Sequence, residues 1–158
     1  MKLYCIRHGQ AESSVLDNKR RLTDQGKQDI HAVGKFLAAQ KISITDLLNS
    51  PKLRAQETAA ILMSYIHPKT MKSTAVLSHE ACANTLADYI KEWKNPTLLV
   101  THMPLIASIV NRLLFKETLS WPMVEFQPGT IICLHRNRYQ WTIQWVVSPK
   151  EINFLNNF

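Results

Sequence analysis

Asn95-Pro96 breaks the chain, and five residues of strand character follow, Thr97-Leu98-Leu99-Val100-Thr101. Pro104 then stands where a helix begins, and Leu105, Ile109, Val110, Leu113 and Leu114 recur at helical spacing behind it. A strand followed directly by a helix is the building unit of an α/β fold. The same alternation runs through the chain. Residues 3–6 read as a short buried strand, and Thr23 or Asp24 caps a helix carrying Ile30, Val33 and Leu37 inward. Residues 44–48 read as a strand closed by Asn49-Ser50-Pro51. Residues 53–66 read as a helix with Thr58, Ile61, Leu62 and Tyr65 on one side, ended by His67-Pro68. A third strand is expected over 73–77, and a helix over 85–93 with Leu86, Tyr89, Ile90 and Trp93 inward. After Pro128-Gly129, residues 130–135 and 139–147 read as a hairpin turning near Asn137, with 150–158 as a tail. The expectation is an α/β fold: a three-layer α/β/α sandwich with a mostly parallel sheet, formed by residues 1–158 as one domain.

Composition agrees with a globular chain that needs no staple. The 158 residues are 46% apolar and 20% charged, and a domain of this length buries roughly 68–70% of its unfolded surface. Cys5, Cys82 and Cys133 are odd in number, widely spaced and without a zinc pattern, which reads as idle thiols in a reducing compartment. The apolar start before Arg7 is too short for a signal peptide. The stretch 97–115 is interrupted by His102, Pro104, Asn111 and Arg112, so no membrane span is expected and the chain reads as cytoplasmic. Nineteen basic against twelve acidic residues leave a net charge of +7, which favours anionic partners. The basic residues do not gather on one helix face and no recognition motif appears, so nucleic acid is not expected among them.

In α/β sheets, ligands bind beyond the carboxyl ends of the strands. Here those ends carry Arg7-His8-Gly9, Ser50-Pro51-Lys52-Leu53-Arg54 and His102, with Arg20 in the long loop after the first strand. Guanidinium groups match phosphoryl oxygens and keep their charge. A neutral imidazole is a nucleophile near neutral pH. Such a set suits phosphoryl transfer by positioning and electrostatics, and it calls for no metal or other cofactor. Arg54 at a helix start is poorly placed as a structural cation, which favours anion binding. His31, His67, His79 and His135 read as surface or turn residues, and Ser13, Ser14 and Cys5 have no base placed beside them. Trp121, Trp141 and Trp145 with Tyr139 read as core packing rather than a base-stacking surface.

These segments resemble a known group. Arg7-His8-Gly9 matches the signature of the histidine phosphatase superfamily, also called phosphoglycerate mutase-like. The segments Arg20-Arg21-Leu22-Thr23-Asp24-Gln25-Gly26, Ser50-Pro51-Lys52-Leu53-Arg54-Ala55-Gln56-Glu57-Thr58 and Thr101-His102 resemble its further motifs in the same order. The short length is most similar to its small bacterial branch, the phosphohistidine phosphatases of the SixA type. The resemblance implies that His8 is a nucleophile forming a transient phosphohistidine. It implies that Arg7 and Arg54 bind phosphoryl oxygens, with Arg20 or its neighbour Arg21 as a third. His102 would flank the phosphoryl group, and Gly9 would offer a carbonyl to fix the His8 tautomer. Many members supply a carboxylate as general acid. Here the matching region, Leu77-Ser78-His79-Glu80, puts Glu80 forward as a candidate.

The branch is similar in lacking a clear acid, and chemistry gives a reason. The imidazole leaving from a P–N bond can be protonated as it departs, whereas an alkoxide needs a donor. The expected substrate is therefore phosphohistidine on a phosphotransfer or carrier protein. The rivals are a small-molecule phosphomonoesterase of the same superfamily, which would use Glu80, and a non-catalytic phosphoprotein-binding module. Loops near 10–20 and 78–84 are expected to set specificity.

Overall fold

The computed structural model describes residues 1–13, 15–78, 81–115, 121–138 and 140–155. The elements run β1 (Lys2–Arg7), α1 (Asp24–Ala39), β2 (Asp46–Asn49), α2 (Leu53–Met63), β3 (Thr70–Ser73), α3 (Ala83–Glu92), β4 (Thr97–Thr101), α4 (Leu105–Phe115), β5 (Ile131–Arg136), β6 (Trp141–Val147) and α5 (Pro149–Leu155), with short 3-10 turns at Asp17–Lys19 and Ala75–Leu77. The strands form one six-stranded sheet in the order β3-β2-β4-β1-β5-β6. β3, β2, β4 and β1 are parallel, and β5 pairs antiparallel with both β1 and β6. This is the expected α/β/α sandwich.

Strand alternation builds its two cores. Leu3, Cys5, Leu99 and Ile132 face one side with Leu86 and Ile90 of α3 and Ile106, Ile109 and Val110 of α4. Tyr4, Ile6, Leu98, Val100 and Ile131 face the other with Ile30 and Val33 of α1, Ala59 and Leu62 of α2, and Ile152 of α5. β4 is buried along its whole length, as a central parallel strand covered on both faces must be.

Several expectations are corrected. The third strand is Thr70–Ser73, not 73–77, because it pairs at the sheet edge with both faces exposed and carries no apolar alternation. The apolar Ala75–Leu77 forms a 3-10 turn that buries Leu77. Tyr89 is exposed, since α3 turns only Leu86, Ala87 and Ile90 inward. Trp121 is 62% exposed rather than core, while Trp141 is buried. The tail is the helix α5, and α2 stops at Met63. Tyr139 lies outside the described residues. Among the described residues no helix is long and apolar enough to cross a membrane. Cys5 and Cys133 are buried and Cys82 is exposed, all three unpaired as thiols.

Candidate active site

Register places the site. β1 and β4 are parallel neighbours with Arg7 opposite Thr101, so His8 and His102 leave the sheet at the same level. The ladder continues past both strands: His8 N–H donates to Thr101 O at 2.9 Å, and Ser50 N–H donates to Val100 O at 2.9 Å. Three chain segments are thus pinned by backbone bonds at one sheet edge, and α2 begins immediately after Ser50.

His8 is 6% exposed. Its Nδ1 lies 2.8 Å from the Gly9 carbonyl, which can only accept, so the proton sits on Nδ1. Its Nε2 accepts from Arg54 Nε at 2.9 Å. The ring is therefore neutral and its lone pair lies on Nε2. Burial, and then the charges of Arg54, Arg7 and His102, push its pKa down to about 3, against the opposing pull of the Gly9 carbonyl. Gly9 is itself held: its N–H donates to Thr58 Oγ1 at 3.1 Å, and that hydroxyl donates to Arg54 O at 2.7 Å. One threonine of α2 thereby ties the His8 loop to the Arg54 turn.

The flanking groups are similarly fixed. Thr101 Oγ1 donates to Leu77 O at 3.1 Å, so its contact with His102 Nδ1 at 3.2 Å is one in which the imidazole N–H donates. Arg7 Nη1 donates to Phe126 O at 2.7 Å. Gly129, at φ +80°, allows the chain to turn so that its N–H reaches Arg7 O at 3.1 Å. Arg54 is 4% exposed and donates through Nη1 to Asp17 O at 2.6 Å. Burial pulls both Arg7 and Arg54 below the ordinary arginine pKa. Arg20 joins this cluster through Asp17, 3.6 Å away, and adds positive potential at Arg7 and Arg54. Arg21 instead points outward, with its side chain 69% exposed, and pairs with Glu57 at 3.7 Å.

His8, Arg7, Arg54, His102 and Arg20 are thus brought together from four segments. Glu80 and His79 lie outside the described residues. Two members escaped the sequence reading. Lys52, the residue before α2, approaches Asp17 Oδ2 at 2.7 Å. Asp17 is the carboxylate that faces Lys52, Arg54 and Arg20 together. Lys52 carried a signal, being a second cation at the same strand end as Arg54. Asp17 carried none, because it sits in a loop without periodicity. Among the described residues there is no group of three or more His, Cys, Asp or Glu that could hold a metal ion. What the arrangement offers is a neutral imidazole whose Nε2 lone pair is held by Arg54 among further cations, a set suited to an anionic, phosphate-like group.

Residues 3–77 match the model of the histidine phosphatase superfamily, branch 1. That match spans just under half of the chain; with the sheet order and the strand-end site it marks the chain as similar to that superfamily, whose phosphoglycerate mutase-like fold it has. It is 26% identical over 155 residues to the phosphohistidine phosphatase SixA of Escherichia coli K12, covering 94% of each chain. It is 27% identical to the SixA homolog of Haemophilus influenzae, covering 83% of this chain and 85% of that one. Among solved structures, the protein histidine phosphatase SixA complexed with tungstate superposes with a TM-score of 0.86 at 25% identity, covering 96% of this chain and 99% of the other.

Proposed function

We propose that this chain is a metal-independent phosphohistidine phosphatase acting on a phosphotransfer or carrier protein. One observation carries the reading: a buried, neutral His8 whose Nδ1 is committed to a carbonyl and whose Nε2 lone pair faces a cationic pocket. The relatives named as phosphohistidine phosphatases over most of their length, and the neighbour that holds tungstate, support the same chemistry.

On this reading the phosphorylated protein presents its P–N bond in line with His8. Nε2 forms a bond to phosphorus as the bond to the substrate imidazole breaks, and that imidazole leaves with a proton taken up from solvent. Arg54 exchanges its contact with Nε2 for contacts with phosphoryl oxygens. Arg7, His102 and Arg20 hold the charge that spreads over those oxygens in the transition state. Water then attacks phosphorus, the P–Nε2 bond breaks, and inorganic phosphate and free His8 are restored. A strong general acid is not required, because imidazole is a far better leaving group than an alkoxide. The +7 charge favours an acidic carrier, and the setting is the cytoplasm, where such carriers work.

The test is phosphate release from a phosphohistidine carrier and from an aryl phosphate ester, by wild type and by His8→Ala. Fast release from the carrier alone, lost in the variant, is the expected result. Preference for the ester would replace this reading with a phosphomonoesterase and direct attention to Glu80. Carrier binding without release from either substrate would make it a binding module.

A further inference from the structure

A carboxylate is an unexpected member of a pocket built for anions. Asp17 Oδ1 stands 3.1 Å from Arg54 Nη2 and 3.6 Å from Arg20 Nη1, and Oδ2 stands 2.7 Å from Lys52 Nζ. One anion therefore answers three cations, two of which the sequence motifs assign to phosphoryl binding.

Arg54 is shared between His8 and Asp17. Its Nε–H donates to His8 Nε2 while its Nη2 turns to the Asp17 carboxylate. These two donors leave the same edge of the guanidinium, the edge that grips two oxygens of a phosphoryl group side-on. A phosphoryl group on His8 takes the Nε2 lone pair now held by Arg54 and brings its oxygens to that edge. The Asp17 carboxylate therefore uses donors that a phosphoryl oxygen requires. Lys52 first, by hydrogen bonding, and then the charge of Arg54, hold its pKa down at about 2, so the anion persists across the working range.

We propose that Asp17 is an internal counter-ion that competes with the phosphoryl group for Arg54, Lys52 and Arg20, and thereby limits how tightly the site retains inorganic phosphate. The inference rests on the reading of His8 and Arg54 as a phosphoryl-transfer site. Unopposed, these cations would hold the dianionic product. A tethered carboxylate that re-forms its contacts as phosphate departs lowers that affinity without removing a cation. Asp17 acts through the cations and is a positioning residue.

The experiment titrates inorganic phosphate calorimetrically into wild type, Asp17→Asn, Asp17→Ser and Asp17→Glu, and follows phosphate release from a phosphohistidine carrier by each. Asp88→Asn serves as the remote control, since Asp88 pairs with Lys91 on the surface of α3. Removing the Asp17 charge should tighten phosphate binding about tenfold. It should lower kcat through slow product release while kcat/KM is kept or raised. Asp17→Glu and Asp88→Asn should stay near wild type. If Asp17→Asn fails to fold, Asp17→Ser carries the same reading. Unchanged or weaker phosphate binding in the folded neutral variant, with kcat/KM lowered, would overturn the proposal while leaving the phosphatase intact. A wild type that neither binds phosphate nor releases it from the carrier would instead overturn the functional reading, and this inference with it.

Discussion

At the residue scale, the His8 ring is buried with its Nε2 lone pair held by Arg54, and that burial has a pH signature. An ordinary imidazole is half protonated near pH 6.5. His8, with its pKa pushed down to about 3, stays neutral well below that, so its imidazole NMR signals should not titrate between pH 8 and about 5. The same depression makes folding pH-dependent. Below pH 6.5 the unfolded chain binds a proton at this position that the folded chain refuses. The stability contributed is full above 6.5 and is lost as pH falls toward 3, on the order of 1.4 kcal/mol per pH unit. Urea unfolding of wild type and His8→Asn between pH 7 and about 4.5 should show the flatter dependence in the variant. Thr58 makes a second residue-scale prediction. Thr58→Val keeps the volume but leaves the buried Gly9 N–H without its acceptor, which should cost about 1–3 kcal/mol in a thermal melt and lower kcat. Thr58→Ser should restore both. The residues legible in the sequence were those that follow an apolar strand directly, His8 after β1 and His102 after β4. Asp17 and Lys52 meet only because a loop and a helix start fold against each other across 35 residues, and no local pattern encodes that meeting.

At the element scale, α1 shows how a helix start supports the chemistry. Thr23, one of two caps expected from the sequence, accepts from Gly26 N at 3.0 Å. Its own N–H donates to Gln10 O at 3.0 Å, so the first turn of α1 rests on the segment just after His8. The contact is close enough that a Cβ on Gly26 would lie 2.2 Å from Gln10 O. Gly26→Ala should therefore push the His8 loop away, destabilise by about 1–3 kcal/mol and reduce turnover more than Thr23→Ala, whose loss is a cap of about 1 kcal/mol. Denaturant melts paired with single-turnover rates check this. Elements whose faces are buried were legible, β1, β4, α1 and α4 among them. β3 was not, because an exposed edge strand has no hydrophobic face to give it a period. α5 was overlooked despite a signal: Ser148-Pro149-Lys150-Glu151 is a capping box with proline in the first turn, and Glu151 Oε2 accepts from Ser148 N at 2.6 Å.

At the scale of the whole molecule, two cores on either side of one sheet leave a single rim where His8, Ser50 and His102 emerge together. The sandwich and its parallel core were legible from alternation alone. The sheet order was not, since periodicity says which segments are strands and nothing about which are neighbours. The net charge of +7 acts at this scale too. If it steers an acidic carrier, raising ionic strength from about 0.05 to 0.5 M should raise KM for the carrier and leave that for a small aryl phosphate nearly unchanged. Equal salt sensitivity for both substrates would place the effect in the pocket rather than in docking.

The pairing of Arg7 with Thr101 carries a consequence for how such a molecule can change. The two histidines owe their spacing to one rung of the ladder between neighbouring parallel strands, and not to the length of chain that connects those strands. A one-residue slip of β1 against β4 would set His8 and His102 at different levels and should abolish phosphate release from every substrate.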